Sequence, residues 1–157
     1  LDEGMQSLAE VIKKTTGKDI TNYPGAGAAR GMGGGLLAFF NAELKPGTEL
    51  LLKAIDFSEK IKGADLIITG EGKADRQTAM GKVPYGILKE AQKEHIPVIV
   101  LAGSIENLPE LNKAGFKGIF SIAPGPITLE KAMEPEFAKE NITRLVSQLY
   151  SVITSFG

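Results

Sequence analysis

The sequence predicts an α/β fold, a parallel sheet with helices on both of its faces. Three short apolar runs, at 65–69, 97–101 and 118–122, are continuous rather than alternating, which marks strands covered on both sides. Helical patterns at 83–94 and 107–114 separate the runs, and a longer one at 134–155 follows the last. Strand–helix alternation of this spacing is the signature of parallel strands joined by right-handed crossovers. The chain has 157 residues, enough to bury roughly two-thirds of its unfolded surface without a disulfide or metal staple.

The elements follow in order. Residues 3–15 carry Met5, Leu8, Val11 and Ile12 at helical spacing, with Asp2 as N-cap and Gly17 as terminator. Tyr23-Pro24-Gly25 breaks the chain, and the Gly/Ala-rich stretch from Gly25 to Gly35 runs into the apolar helical segment Leu36–Phe40. After Pro46-Gly47, residues 48–61 read as one helix with Leu51, Leu52, Ile55 and Ile61 inward. The chain thus divides into a mainly helical, glycine-rich part (1–62) and a βαβαβα part (63–157). Three strands are few where such sheets carry about 5–6. The missing strands are expected from a partner or from a portion of the same protein outside this chain. A start at Leu1, inside an acidic helix-opening segment, points the same way.

Composition excludes several functions. With 18 Lys+Arg against 19 Asp+Glu, the net charge of -1 argues against a nucleic-acid partner. The absence of cysteine removes thiol catalysis and Cys-ligated metals, and the single histidine, His95, removes a multi-His centre. No apolar run approaches the ~18–20 residues of a membrane span, and no export signal is seen, so a cytoplasmic location is expected. Glycine stands out at 19 residues, about 12 % against a usual 7 %.

The strongest chemical signal is the stretch from Ile67 to Lys82, which starts on a buried strand and passes its carboxyl end, where open α/β sheets place their ligand crevices. Gly70 and Gly72 are expected to turn the backbone sharply and bring it close to a ligand. Glu71 and Asp75 supply carboxylates for Mg²⁺ or for a hydroxyl proton, and Lys82 offsets phosphate charge. Gln77 and Thr78 add polar groups, although a polar, glycine-rich connecting loop explains the same residues. Gly25 and Gly27 open a stretch whose N–H groups suit an anion, or whose small residues simply permit tight helix packing. A dinucleotide reading of this stretch fails because no strand precedes it. Leu101-Ala102-Gly103-Ser104 lies at the carboxyl end of the second strand, where Ser104 binds a ligand or caps the next turn. Pro124-Gly125-Pro126 makes a rigid turn at the rim of the same crevice, and His95 reads as a helix C-terminus.

These residues carry a resemblance. Pro24-Gly25-Ala26-Gly27-Ala28-Ala29 with Gly31-Met32-Gly33 is similar to the type I bacterial glycerate kinases. So are Ala64-Asp65-Leu66-Ile67-Ile68-Thr69-Gly70-Glu71-Gly72 with Asp75, Gln77-Thr78, Gly81-Lys82 and Pro84. Pro97-Val98-Ile99, Leu101-Ala102-Gly103-Ser104 and Phe120-Ser121-Ile122 extend the match over nearly the whole chain. Three positions depart from the family's usual pattern: Arg30 stands where Gly is frequent, Lys73 where Arg is, and Ala74 where a larger aliphatic is.

The resemblance implies ATP- and Mg²⁺-dependent phosphorylation of D-glycerate, with the 2-hydroxyl favoured over the 3-hydroxyl. It also implies a flavodoxin-like (Rossmann-like, three-layer) domain assembled from both ends of a longer protein. This chain would be its carboxyl-terminal part, inactive alone, with the amino-terminal part as partner and a homodimer as a further option. On that basis Asp75 orients or deprotonates the glycerate hydroxyl, and Glu71 holds Mg²⁺ with Asp75 or positions the ligand. Lys82 and Lys73 neutralise phosphate or substrate carboxylate, Gln77 and Thr78 hydrogen-bond the substrate, and Arg30 points outward or reaches an anion. The alternative function is a non-catalytic flavodoxin-like module that binds a nucleotide or small anion.

Overall fold

A computed structural model describes residues 2–40, 42–106 and 108–155. The chain forms two compact units, residues 1–47 and 48–157.

The first unit holds α1 (Asp2–Thr16) and α2 (Ala28–Phe40). α1 buries Ala9 and Ile12, which pack with Ile20, Leu37 and Ala38 into a small core. Leu8 and Val11, expected inward, are exposed: the buried stripe runs through the small Ala9 instead, one position round the helix. Gly17 ends α1 as expected, at φ +75° with its N–H bonded to the Lys13 carbonyl. Residues 17–24 are turn and coil, so no strand leads into the glycine-rich stretch. Within that stretch Ala29, Arg30 and Gly31 are all left-handed, and regular helix starts only after them. Gly33 and Gly34 are needed for packing: a Cβ on Gly34 would sit 2.7 Å from Ile20 Cδ1, and one on Gly33 would overlap the Gly25 carbonyl. Lys18 Nζ donates to the Leu37 and Ala38 carbonyls near the end of α2.

The second unit opens with α3 (Gly47–Ala54) and α4 (Phe57–Lys60). The single helix expected over 48–61 is thus two, separated at Asp56, which is left-handed at φ 51°. Leu52 and Ile61 are buried as expected, whereas Leu51 and Ile55 are exposed. Then come β1 (Ile67–Ala74), a 3₁₀ helix (Arg76–Met80), α5 (Val83–Lys93), β2 (Val98–Ile105), α6 (Leu108–Ala114), β3 (Gly118–Ser121), α7 (Leu129–Ala132) and α8 (Pro135–Thr154). The sheet is parallel throughout, ordered β1-β2-β3, and the chain has the α/β fold.

β2 is central and buried on both faces from Val98 to Ala102. Val98, Val100 and Ala102 face a core built with Leu88 and Ala91 of α5, Leu111 of α6, Phe116 and Ile61. β1 differs from expectation: it is an edge strand with Ile68 exposed, and it continues five residues past the apolar run, to Ala74, through register pairs that include Glu71↔Ala102, Lys73↔Ser104 and Ala74↔Ile105. His95 stands just after α5, exposed and left-handed at φ 58°. Among the described residues no helix is long and apolar enough to cross a membrane.

Candidate functional site

β1 delivers Glu71 and Lys73, and the chain turns only after Ala74. Gly70 and Gly72 therefore lie in extended strand, a correction to the sharp loop expected there; the left-handed turn falls at Gly81, φ +126°. Asp75 caps the 3₁₀ helix, its Oδ1 accepting the Gln77 N–H at 2.9 Å and the Thr78 N–H at 3.3 Å. The Thr78 hydroxyl completes a capping box by accepting the Asp75 N–H at 3.0 Å. α5 begins after Lys82 and carries Pro84 in its first turn.

These local rules bring three charges together. Lys82 Nζ lies 3.0 Å from Glu71 Oε1 and 3.2 Å from Asp75 Oδ1. The Thr78 hydroxyl donates to the other Glu71 oxygen, Oε2, at 2.7 Å. The side chains of Glu71, Asp75 and Lys82 are 14, 21 and 32 % exposed, so the cluster is half-sheltered and open to a ligand. Partial burial pushes the Asp75 carboxyl up, but the Lys82 ammonium and the Gln77 and Thr78 N–H groups outweigh it and hold Asp75 below the ordinary carboxylate range. The Glu71 carboxylate, with Asp75 in support, raises Lys82 above its ordinary value against the opposing effect of burial.

The bonds to the Asp75 carboxylate all fall on Oδ1, which leaves Oδ2 as the open oxygen of the pair. The same cluster tests the expected metal site. The Lys82 ammonium occupies the space between Glu71 and Asp75, and among the described residues no set of three or more carboxylate, His or Cys side chains could hold an ion. Mg²⁺ takes only one or two protein carboxylates beside phosphate oxygens and water, so the residues that would hold it here are Glu71 and Asp75.

Lys73 pairs with Glu106 at 2.7 Å, a partner no motif signalled. Gln77 is exposed, and Ser104 is exposed in register with Lys73. Thr78 is 0 % exposed, and its hydroxyl serves Asp75 and Glu71, which corrects its expected role as a direct substrate contact. Gly25, Gly27 and Arg30 belong to the first unit, where Gly27 and Gly31 line a largely apolar cavity of about 230 Å³ with Met5, Ala9, Ile20 and Gly34. Arg30 is exposed. In the second unit the segment 122–127 flanks a small hollow formed with Gly103, Phe137 and Asn141.

Comparison with known proteins gives a consistent result. The profile described as the glycerate kinase family matches residues 1–154. A glycerate kinase of Halalkalibacterium halodurans is 44% identical over 135 residues, which is 85% of this chain and 36% of that protein. The glycerate 2-kinase of Escherichia coli K12 is 42% identical over 145 residues, 92% of this chain and 38% of that protein. A crystal structure assigned to a glycerate kinase 2 of Salmonella typhimurium LT2 superposes with a TM-score of 0.67 at 33% identity, covering 96% of this chain and 37% of the other. The chain spans well under half the length of these relatives.

Proposed function

This chain belongs to the glycerate kinase family, and on that premise we propose that the full-length protein phosphorylates D-glycerate with ATP, favouring the 2-hydroxyl. The observation that carries the reading is the Glu71–Lys82–Asp75 cluster beyond the apolar part of β1. Phosphoryl transfer is chiefly positioning and charge stabilisation, and this cluster offers an acceptor for a hydroxyl beside a cation for a phosphate.

In this mechanism Asp75 Oδ2 accepts the hydrogen of the glycerate hydroxyl and aims its oxygen at the γ-phosphorus. The new O–P bond forms as the bond to the β–γ bridging oxygen breaks. ADP leaves with the electron pair, and the hydroxyl proton passes to Asp75. The lowered proton affinity of Asp75 suits late transfer, since a loose transition state asks little of a base. Lys82 offsets charge on the transferring group, and Glu71 holds Lys82 in reach. Lys73 and Ser104, paired near the exposed ends of β1 and β2, and Gln77 of the 3₁₀ helix bind the glycerate carboxylate and hydroxyls. Within the first unit, Gly25 and Gly27 offer backbone N–H groups and Arg30 a cation to a phosphate or other anion. Mg²⁺ would accompany the nucleotide, with its phosphate oxygens and the Glu71 and Asp75 carboxylates as the groups that would hold it.

Residues 1–157 alone are proposed to be inactive, the remainder of the protein being the partner they need. A cytoplasmic location accords with a nucleotide-dependent reaction on a small organic acid. The test is glycerate-dependent ADP release by the full-length protein, with the product identified by phosphorus NMR. 2-Phosphoglycerate is expected; ATP binding without turnover would favour the non-catalytic module instead.

A further inference from the structure

Thr78 is buried, yet every polar group it presents to this site is bonded to a carboxylate-bearing residue. Its hydroxyl accepts the Asp75 N–H at 3.0 Å and donates to Glu71 Oε2 at 2.7 Å. Its own N–H donates to Asp75 Oδ1 at 3.3 Å. A backbone N–H can only donate, so the hydroxyl must take that bond as acceptor and turn its proton to Glu71. The direction of the whole chain of bonds is thereby fixed, from the Asp75 backbone through Thr78 to Glu71, whose other oxygen meets Lys82.

We propose that Thr78 is a positioning residue, which sets where the Glu71 and Asp75 carboxylates stand relative to each other and so where the Lys82 ammonium is held. It does this without touching substrate. The proposal deepens, and rests on, the phosphotransfer reading of the site. A purely packing role makes a different demand: valine has the same shape and would fill the same space, but it lacks the hydroxyl that links Asp75 to Glu71. Serine keeps the hydroxyl and loses a methyl group. The two substitutions therefore separate bonding from packing.

In the full-length protein, T78V and T78S are compared with the wild type for kcat, for KM towards ATP and D-glycerate, and for thermal midpoint. The rate of reductive methylation at Lys82 without substrates is measured alongside. T78V is expected to lower kcat about 10²-fold with both KM values within about threefold, the pattern of misplaced catalytic groups. It is also expected to speed Lys82 methylation, because Glu71 no longer holds the ammonium, while T78S restores both readouts. Equal losses in T78V and T78S, a loss confined to KM, or unchanged kcat and methylation in T78V would each overturn the proposal. If T78V fails to fold, T78A is judged by the same criteria. If the wild type does not phosphorylate glycerate, the functional reading fails, and the methylation comparison still decides whether Thr78 positions Lys82.

Discussion

Gly103 of β2 faces Gly72 of β1 so closely that a Cβ on Gly103 would sit 2.7 Å from the Gly72 carbonyl oxygen. A Cβ on Gly72 would meet open space. The two glycines are neighbours across one parallel ladder, yet only one of them is sterically required. G103A should therefore lower stability by about 1–3 kcal/mol, the usual penalty of forcing atoms into a filled space. G72A should stay within about 0.5 kcal/mol of the wild type. Urea midpoints decide this, and equal effects would contradict the asymmetry.

Arg30 sits at φ 59° between Ala29 at φ 50° and Gly31 at φ 90°. A left-handed L-residue costs roughly 1–2 kcal/mol, and glycine escapes that cost while adding some unfolded-state entropy. R30G should consequently raise stability by up to about 1 kcal/mol. A lowered denaturation midpoint would show that the Arg30 side chain contributes more than its backbone conformation costs.

Asp75→Asn separates charge from capping. Asparagine is as good an N-cap as aspartate, so the 3₁₀ helix should survive and the thermal midpoint should change little. Loss of the anionic acceptor should lower kcat by ~10²–10⁴. A decrease under tenfold in steady-state assays of the full-length protein would retire Asp75 as the group that receives the hydroxyl proton.

Acid sensitivity follows from the Lys13–Asp19 pair. The Lys13 ammonium at 2.6 Å, helped by the Thr21 N–H, holds the Asp19 carboxyl at about 2. The folded value lies below the unfolded one of roughly 3.9, so the pair's contribution is present above that value and disappears as pH falls towards 2. D19N should flatten the decline of denaturation midpoint between pH 5 and about 2. Because the pair is exposed, added salt should shrink the difference. Identical acid limbs for D19N and wild type at low salt would contradict this.

The sequence made the strands visible where side chains are apolar, and lost them where backbone pairing takes over. The run Gly70-Glu71-Gly72-Lys73-Ala74 has the composition of a loop, but its pairing with Glu71↔Ala102 and Lys73↔Ser104 holds it extended; ladder bonds outweigh local propensity. Helical periodicity located α1 but not the side of it that is buried, because Leu8 and Val11 compete with Ala9 and only packing decides. The break at Asp56 was hidden because a left-handed aspartate leaves no mark such as Gly or Pro. At the site, the residue types were legible: two carboxylates, a lysine and a threonine close in sequence. Their bonding was not, since it depends on a 3₁₀ turn that folds Thr78 inward and returns Lys82 to Glu71.

In the proposed mechanism Lys82, held between Glu71 and Asp75, stabilises the transferring phosphoryl group. Lys82→Met tests it most directly, since methionine keeps the length of the stem and removes the charge. With glycerate-dependent ADP release measured in the full-length protein, and its thermal midpoint shown to be retained, kcat should fall by about 10²–10³-fold, the loss seen when a transition-state charge partner is removed. A kcat within threefold of wild type would contradict the assignment of this cluster to phosphoryl transfer.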